Sequence, residues 1–308
     1  MATVLSVIQG FCQRLNIPAP SAIVGVEKPA QQQYLELLRK IGDNLRNRPI
    51  NWPQLKRPHY FNTETDVSIY QLPGDFYRLL LSDQWDVTNQ WPLVGPVSDF
   101  NMALRQFAVI GVQAQKAFRL VGPNGYLFST SPYNQRSAGT FEINPAGAND
   151  TDQLFLGYMS ANWVWPQDWV ASTVYAAGSI RSGDGYVYIT AAGGTSGSTR
   201  PNWSSGSDSD GSVTWTVYKE PYACSASNAA LTDSDFILFD EDLVIDGLVW
   251  AYKQAKGQDF IDLKTDWELS IKAAAARFDA PSRVNLGDCL ADVFNDGIPL
   301  IPPGSWSV

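Results

Sequence analysis

A chain of 308 residues, 44% hydrophobic and 17% charged, is globular in makeup, low in charge and rich in aromatics, and long enough to bury a sizeable core. Its formal net charge of −9 argues against a nucleic-acid coating protein, which needs a basic face, and no continuous apolar run is long enough to span a bilayer. Cys12, Cys224 and Cys289 are far apart and odd in number, so they supply neither a zinc-ligand spacing nor a disulfide framework.

The charge is unevenly spread. Residues 1–60 carry eight Lys/Arg against three Asp/Glu, residues 61–149 five against seven, and residues 150–308 nine against 21. A chain with one basic and one acidic end suits head-to-tail or side-by-side stacking in an assembly, with an ordinary solvated surface as the plainer alternative. The first residues, MATVLSVIQGFCQRLNIPAP, lack the basic start and continuous apolar core of a signal peptide, so the expectation is a protein made and kept in the cytosol.

Taken in order, Val4, Leu5, Val7, Ile8, Phe11 and Leu15 predict a short amphipathic helix ended by Asn16 and Pro18. Pro29 opens a second helix along Tyr34, Leu35, Leu38, Ile41 and Leu45, which stops before Pro49 with cations toward its end. From about 58 to 97 the pattern turns to alternation: "VSIYQL" reads as a strand, with "RLLLSDQWDVT" and "QWPLVGPVS" as two further short extended pieces. Ser98 reads as the N-cap of a short helix, "DFNMALRQF". Residues 117–161 give more strands, with Asn124-Gly125 as a hairpin signal.

Residues 164–220 differ from both neighbours. Five of the 11 tryptophans lie between Trp163 and Trp215, among short alternating pieces ("GSIRS", "GYVYIT", "VTWTVY") separated by Gly/Ser turns, Asp184-Gly185 among them. The stretch reads as a small three- or four-stranded β unit; a disordered linker, the alternative, is poor in aromatics. From Thr232 the pattern is helical again, acidic early and basic late with Gly257 as its stop, followed by a helix over about 258–278 along Phe260, Leu263, Trp267 and Ile271. Residues 281–308 read as an extended arm.

No catalytic constellation is found. His59 is the only histidine, sits in "RPHYF" without a nucleophile motif, and reads as a strand histidine of structural role. The Gly-rich run at 193–197 precedes no helix, so it is not a phosphate cradle. The cluster Asp233, Asp235, Asp240, Glu241 and Asp242 could suggest a cation site or a glycosidase carboxylate pair, but it lacks the ligand alternation and central glycine of a calcium loop. Capping of a helix start explains it more simply. The reading assigns no catalytic residue, no metal and no cofactor.

At "LNIPAPSAIVG" (15–25), "YQLPGDFYRLL" (70–80), "WDVTNQWPLVGPVS" (85–98), "YMSANW" (158–163) and "FDEDLVIDGLVWAYKQAKGQDF" (239–260), the chain resembles the head-to-tail adaptors of short-tailed phages, the tail tubular protein A-like connectors. The matches run in the family's order over about 1–163 and 230–280. The resemblance implies an α+β chain: a helical bundle of N- and C-terminal helices, a β-rich middle and, peculiar to this sequence, a small all-β inserted domain. The core would be 1–163 plus 221–280 and the insert 164–220, since shorter relatives run almost directly from "S-x-N-W" to the acidic helix.

The resemblance also implies a virion structural protein of the neck or tail. It would form a homo-oligomeric, usually twelve-fold ring between the portal protein and the tail nozzle, and genomic DNA would pass through the channel without specific binding. Asp240, Asp242, Trp250, Lys253, Lys256 and Trp306 are then the candidates for portal or subunit contacts. The 164–220 stretch is similar to small chitin- and cellulose-binding modules, which makes a glycan-binding virion protein acting in host attachment the alternative function. Trp169, Tyr175, Tyr186, Tyr188, Trp203 and Trp215 are its candidate sugar-stacking rings, with a role in the unit's own core as the competing reading for them.

Overall fold

In the computed structural model the described residues are 2–73, 75–107, 115–121, 140–147, 150–183, 186–199, 207–217 and 232–278, and they form a mixed α+β structure with several antiparallel sheets. Helix α1 (Val4–Arg14) starts at a capping box: the Ser6 amide donates to Thr3 Oγ1 at 3.1 Å and the Thr3 amide donates to Ser6 Oγ at 2.9 Å. Helix α2 (Pro29–Asn47) opens on Pro29 and buries Tyr34, Leu37, Leu38, Ile41 and Leu45. Helix α3 (Asp99–Phe107) follows Ser98, whose Oγ accepts from the Asn101 amide.

Helix α4 (Glu241–Ala255) packs against α1, α2 and α5 (Ile261–Phe278). It buries Leu243, Val244, Ile245, Leu248, Trp250 and Ala251, more than one stripe, because it has helical neighbours on several sides. Glycines set these crossings. A Cβ on Gly247 of α4 would lie 2.7 Å from Ile41 Cγ2 and 3.1 Å from Trp267 Nε1, so α2 and α5 both approach the α4 backbone there.

The helix expected from Thr232 starts at Glu241 instead. Residues Phe236–Ile237 form a strand against Val164–Trp165, and Thr3 bridges to Phe236. The reason lies in "DFILFD": Ile237, Leu238 and Phe239 are all buried, and an extended path buries consecutive apolar residues on both sides where a single-faced helix could not. The two preceding carboxylates are committed elsewhere. Asp233 accepts the amides of Ile23 and Val24, and Asp235 accepts from the amide and hydroxyl of Thr232.

One sheet has the order Lys56–Asn62, Gln153–Ser160, Phe76–Asp86, Trp91–Pro92. Pro58 is tolerated because its strand lies at the sheet edge. The piece "RLLLSDQWDVT" is not a separate short strand: it continues Phe76–Asp86 through an irregularity between Leu79 and Gln84. A second sheet orders Ile69–Gln71, Thr140–Asn144 and Ala117–Val121, and Leu72, Leu93, Phe118, Phe141, Ile143, Leu154 and Leu156 join the two sheets in one apolar cluster. The expected hairpin at Asn124-Gly125 lies outside the described residues.

Within 164–217 a four-stranded sheet orders Ile180–Gly183, Tyr186–Thr190, Val213–Val217 and Ser207–Asp210, and a small ribbon pairs Val174–Tyr175 with Gly194–Thr195. Tyr175, Tyr188, Val213 and Trp215 make a core of its own, while Ile180 and Val187 belong to the same apolar cluster as the helices. The turn expected at Asp184-Gly185 and the arm expected over 281–308 lie outside the described residues.

Candidate functional site

Two of the aromatic candidates of 164–220, Trp169 and Trp215, meet at one carboxylate. Asp210, itself buried, accepts at Oδ2 from Trp169 Nε1 at 2.7 Å and Trp215 Nε1 at 3.1 Å, and at Oδ1 from the Gly197 amide at 2.6 Å. Tyr175 meets Trp215 edge to face at 5.1 Å, and its hydroxyl accepts from the Val170 amide and donates to the Val170 carbonyl.

This arrangement corrects the surface reading of three of the six rings. Trp215, Tyr188 and Tyr175 are 0%, 1% and 3% exposed, so none presents a face to a sugar. A β unit this small has little else to fill its interior, and the largest rings go there. Trp169 is half-buried with its indole N–H already engaged. Trp203 and the side chain of Tyr186 lie outside the described residues.

The candidates on α4 are placed as follows. Asp240 is the N-cap, accepting the amides of Asp242 and Leu243. Asp242 and Asp246, one turn on, both pair with Arg14 of α1. Burial pushes the Asp246 carboxyl above its ordinary value, Arg14 opposes the rise and Asp242 adds to it. Trp250 is not a surface residue: it is 4% exposed and packs on Trp267 at 5.4 Å, with Lys40 and Lys264 over its ring. It falls inside because the α4–α5 contact closes over it. Lys253 and Lys256 lie in the last turn and C-cap, and the Lys256 ammonium sits over Tyr252. Trp306 lies outside the described residues.

His59 stands in the edge strand, its ring stacked on Phe61 at 5.4 Å. Burial lowers its pKa and Asp75 partly offsets that. Asp75 takes hydrogen bonds from the hydroxyls of Tyr158 at 2.7 Å and Ser160 at 2.6 Å, and the Arg57 guanidinium lies 4.6 Å over the Trp165 ring. These contacts tie sheet to strand and present no activated nucleophile. Among the described residues no group of three or more His, Cys, Asp or Glu side chains is placed to hold a metal, and no helix is long and apolar enough to cross a membrane.

Sequence reasoning passed over three exposed apolar sets: Phe100 and Leu104 on α3, Ile261 and Leu269 on α5, and Tyr60 and Trp85 on the first sheet. Alternation in "RPHYFN" and "DQWD" holds the signal for the last, since it places Tyr60 and Trp85 on one face each, but it does not say which face stays uncovered. No family model matches the chain, and no curated protein matches it significantly.

Proposed function

We propose that the chain is a head-to-tail adaptor of a short-tailed phage, a virion protein that forms a ring between portal and tail nozzle and carries a small β unit inserted at 164–220. The reading rests on the five ordered motifs together with one structural observation: the two ends of the Trp-rich excursion meet. The Leu238 amide donates to the Trp163 carbonyl at 3.0 Å, and Val164–Trp165 pairs with Phe236–Ile237. A chain that leaves and returns at one point can gain or lose the intervening stretch without rerouting its core, as a decorated member of a family of shorter proteins must.

The packing of α4 against α1 and α2 also supports a bundle of N- and C-terminal helices, with the two sheets sharing Phe118, Phe141 and Leu156 as the β-rich middle. In this reading the function is mechanical: helices define the ring, DNA passes without sequence contacts, and like charge along the lumen keeps it from sticking. Mass photometry of the chain alone and with the cognate portal tests it. Rings of about twelve subunits, or monomers that assemble only on portal, are expected. A chain that stays monomeric beside assembled portal overturns the reading.

A further inference from the structure

The outer face of the first sheet, formed by Lys56–Asn62, Gln153–Ser160, Phe76–Asp86 and Trp91–Pro92, carries a row of rings used by neither neighbouring core. Tyr60, Phe155 and Trp85 stand opposite one another on three adjacent strands, so their side chains leave the same face. Tyr60 and Phe155 have centroids 5.0 Å apart, and Tyr60 and Trp85 remain 52% and 41% exposed. One residue away on two of those strands, Phe61, Leu154 and Leu156 point the other way, into or against the cluster between the sheets. The row is therefore surplus to the fold.

A carboxylate is delivered beside it. Between Leu79 and Gln84 the strand bulges away from its partner, and the Gln84 side chain donates through Nε2 to the Leu80 carbonyl across the bulge. The bulge lays Asp83 over Gly157, where an added Cβ would stand 2.4 Å from Asp83 Oδ2. Gly157 follows Phe155 by two residues and so opens onto the same face. Asp83 is exposed, and among the described residues it has no hydrogen-bond or ion-pair partner. A carboxylate with free lone pairs next to flat rings accepts hydroxyl protons while the rings stack on C–H faces.

We propose that this face binds a linear, uncharged polysaccharide, with Tyr60, Phe155 and Trp85 as the stacking strip and Asp83 as the hydroxyl acceptor. Charge selects this occupant. The positions flanking the row are Pro58 opposite Gly157 and Asn62 opposite Gln153; the one cation on this face of the edge strand is Lys56, two positions beyond Pro58, and Asp83 beside the row adds a negative charge. Single-stranded nucleic acid also stacks on aromatic strips but requires cations along its backbone track. The strip sits on a sheet, so little side-chain freedom is lost on binding. The inference does not depend on the ring reading, and it places glycan chemistry on the main sheet instead of on the 164–220 rings.

Affinity electrophoresis of the full chain through gels containing a soluble β-glucan, a mannan or a xylan, with sedimentation onto insoluble chitin and cellulose, tests it. At least one of these is expected to retard or capture the protein. Trp85→Ala and Tyr60→Ala should each weaken that binding about tenfold, the loss of roughly 1.4 kcal/mol of stacking. Asp83→Asn should weaken it, Trp85→Phe should largely restore it, and Trp169→Ala should leave it unchanged. Near-UV circular dichroism checks that each variant is folded. Binding to none of the five polysaccharides overturns the proposal, as does equal binding by Trp85→Ala and wild type. Preferential capture by an oligothymidylate column also overturns it, as does a change of oligomeric state in Tyr60→Ala, which would make the row a contact between copies.

Discussion

The amide of Leu238 and the carbonyl of Trp163 are hydrogen-bonded at 3.0 Å, which closes the whole excursion between them into one loop rooted on the main core. If the root carries the path, joining Pro166 to Thr232 with about eight Gly/Ser residues should preserve the helices. It should still cost stability, because Ile180 and Val187 pack into the helical cluster and burying each contributes about 1.5–3 kcal/mol at most. The expected outcome is a cooperative thermal transition with native far-UV signal per helical residue at a lowered midpoint. An unfolded product would mean that the excursion is integral to the fold.

Two helix glycines separate tight from tolerant packing. A Cβ on Gly42 would lie 2.4, 2.5 and 2.6 Å from three atoms of the Trp163 ring, which is buried and cannot swing away. A Cβ on Gly10 would meet only the Ile245 Cδ1 methyl at 2.8 Å, the far end of a flexible side chain. Alanine gains about 1 kcal/mol over glycine within a helix. Gly10→Ala should therefore fall within about 1 kcal/mol of wild type, while Gly42→Ala should lose about 2–3 kcal/mol as overpacking outweighs propensity. Urea unfolding of the two variants side by side gives the comparison.

The helices were legible because their signals are local: a 3.6-residue period, Pro29 at the entry of α2, and Gly257 at φ +67° after α4. The start of α4 was not, since "TDSDFILFD" has the acidic-then-apolar order of a helix start and only its pairing with Val164–Trp165 makes it extended. The strand Phe76–Asp86 looked broken because its alternation skips at the bulge. For the site the limit is sharper. Tyr60 and Tyr188 both sit in alternating strands, yet one is 52% and the other 1% exposed. Alternation says which residues share a face; what covers that face is decided by residues far away in sequence.

A buried ion cluster predicts the acid and alkaline limits of the β region. Lys116 Nζ lies 2.6 Å from Asp86 and 3.1 Å from Asp152, with all three side chains at most 10% exposed. Burial alone would push Asp86 up and Lys116 down. Their hydrogen bonds, with help from Asn89 on Asp86, reverse both, so Asp86 lies below and Lys116 above its ordinary value. The Asp86 contribution is thus present above about pH 4 and lost as pH falls through its lowered native pKa; the Lys116 contribution is present below about pH 10.4 and lost as pH rises through its raised one. Lys116→Met leaves two buried carboxylates uncompensated and should cost about 3–5 kcal/mol at pH 7. The loss should shrink as pH falls below about 4 and Asp86 takes up its proton. An equal loss above and below that pH in urea titrations would show that the cluster acts by packing instead of charge.

Asp210 offers the test of whether the 164–217 strands fray separately from the helices. Its two oxygens satisfy three donors, the indoles of Trp169 and Trp215 and the Gly197 amide. Asp210→Asn turns one acceptor into a donor facing a donor, so at least one buried N–H loses its partner at a cost of about 1–3 kcal/mol. Trp215→Phe removes only one donor but also one ring of a fully buried indole, so it should cost less from hydrogen bonding and more from the cavity left behind. With Asp210→Asn, hydrogen exchange should accelerate in Ile180–Gly183, Tyr186–Thr190 and Val213–Val217 while α1, α2 and α4 keep their protection. The shared burial of Ile180 and Val187 works against that separation. Uniform loss of protection across strands and helices would mean that those two side chains couple the parts into one cooperative unit.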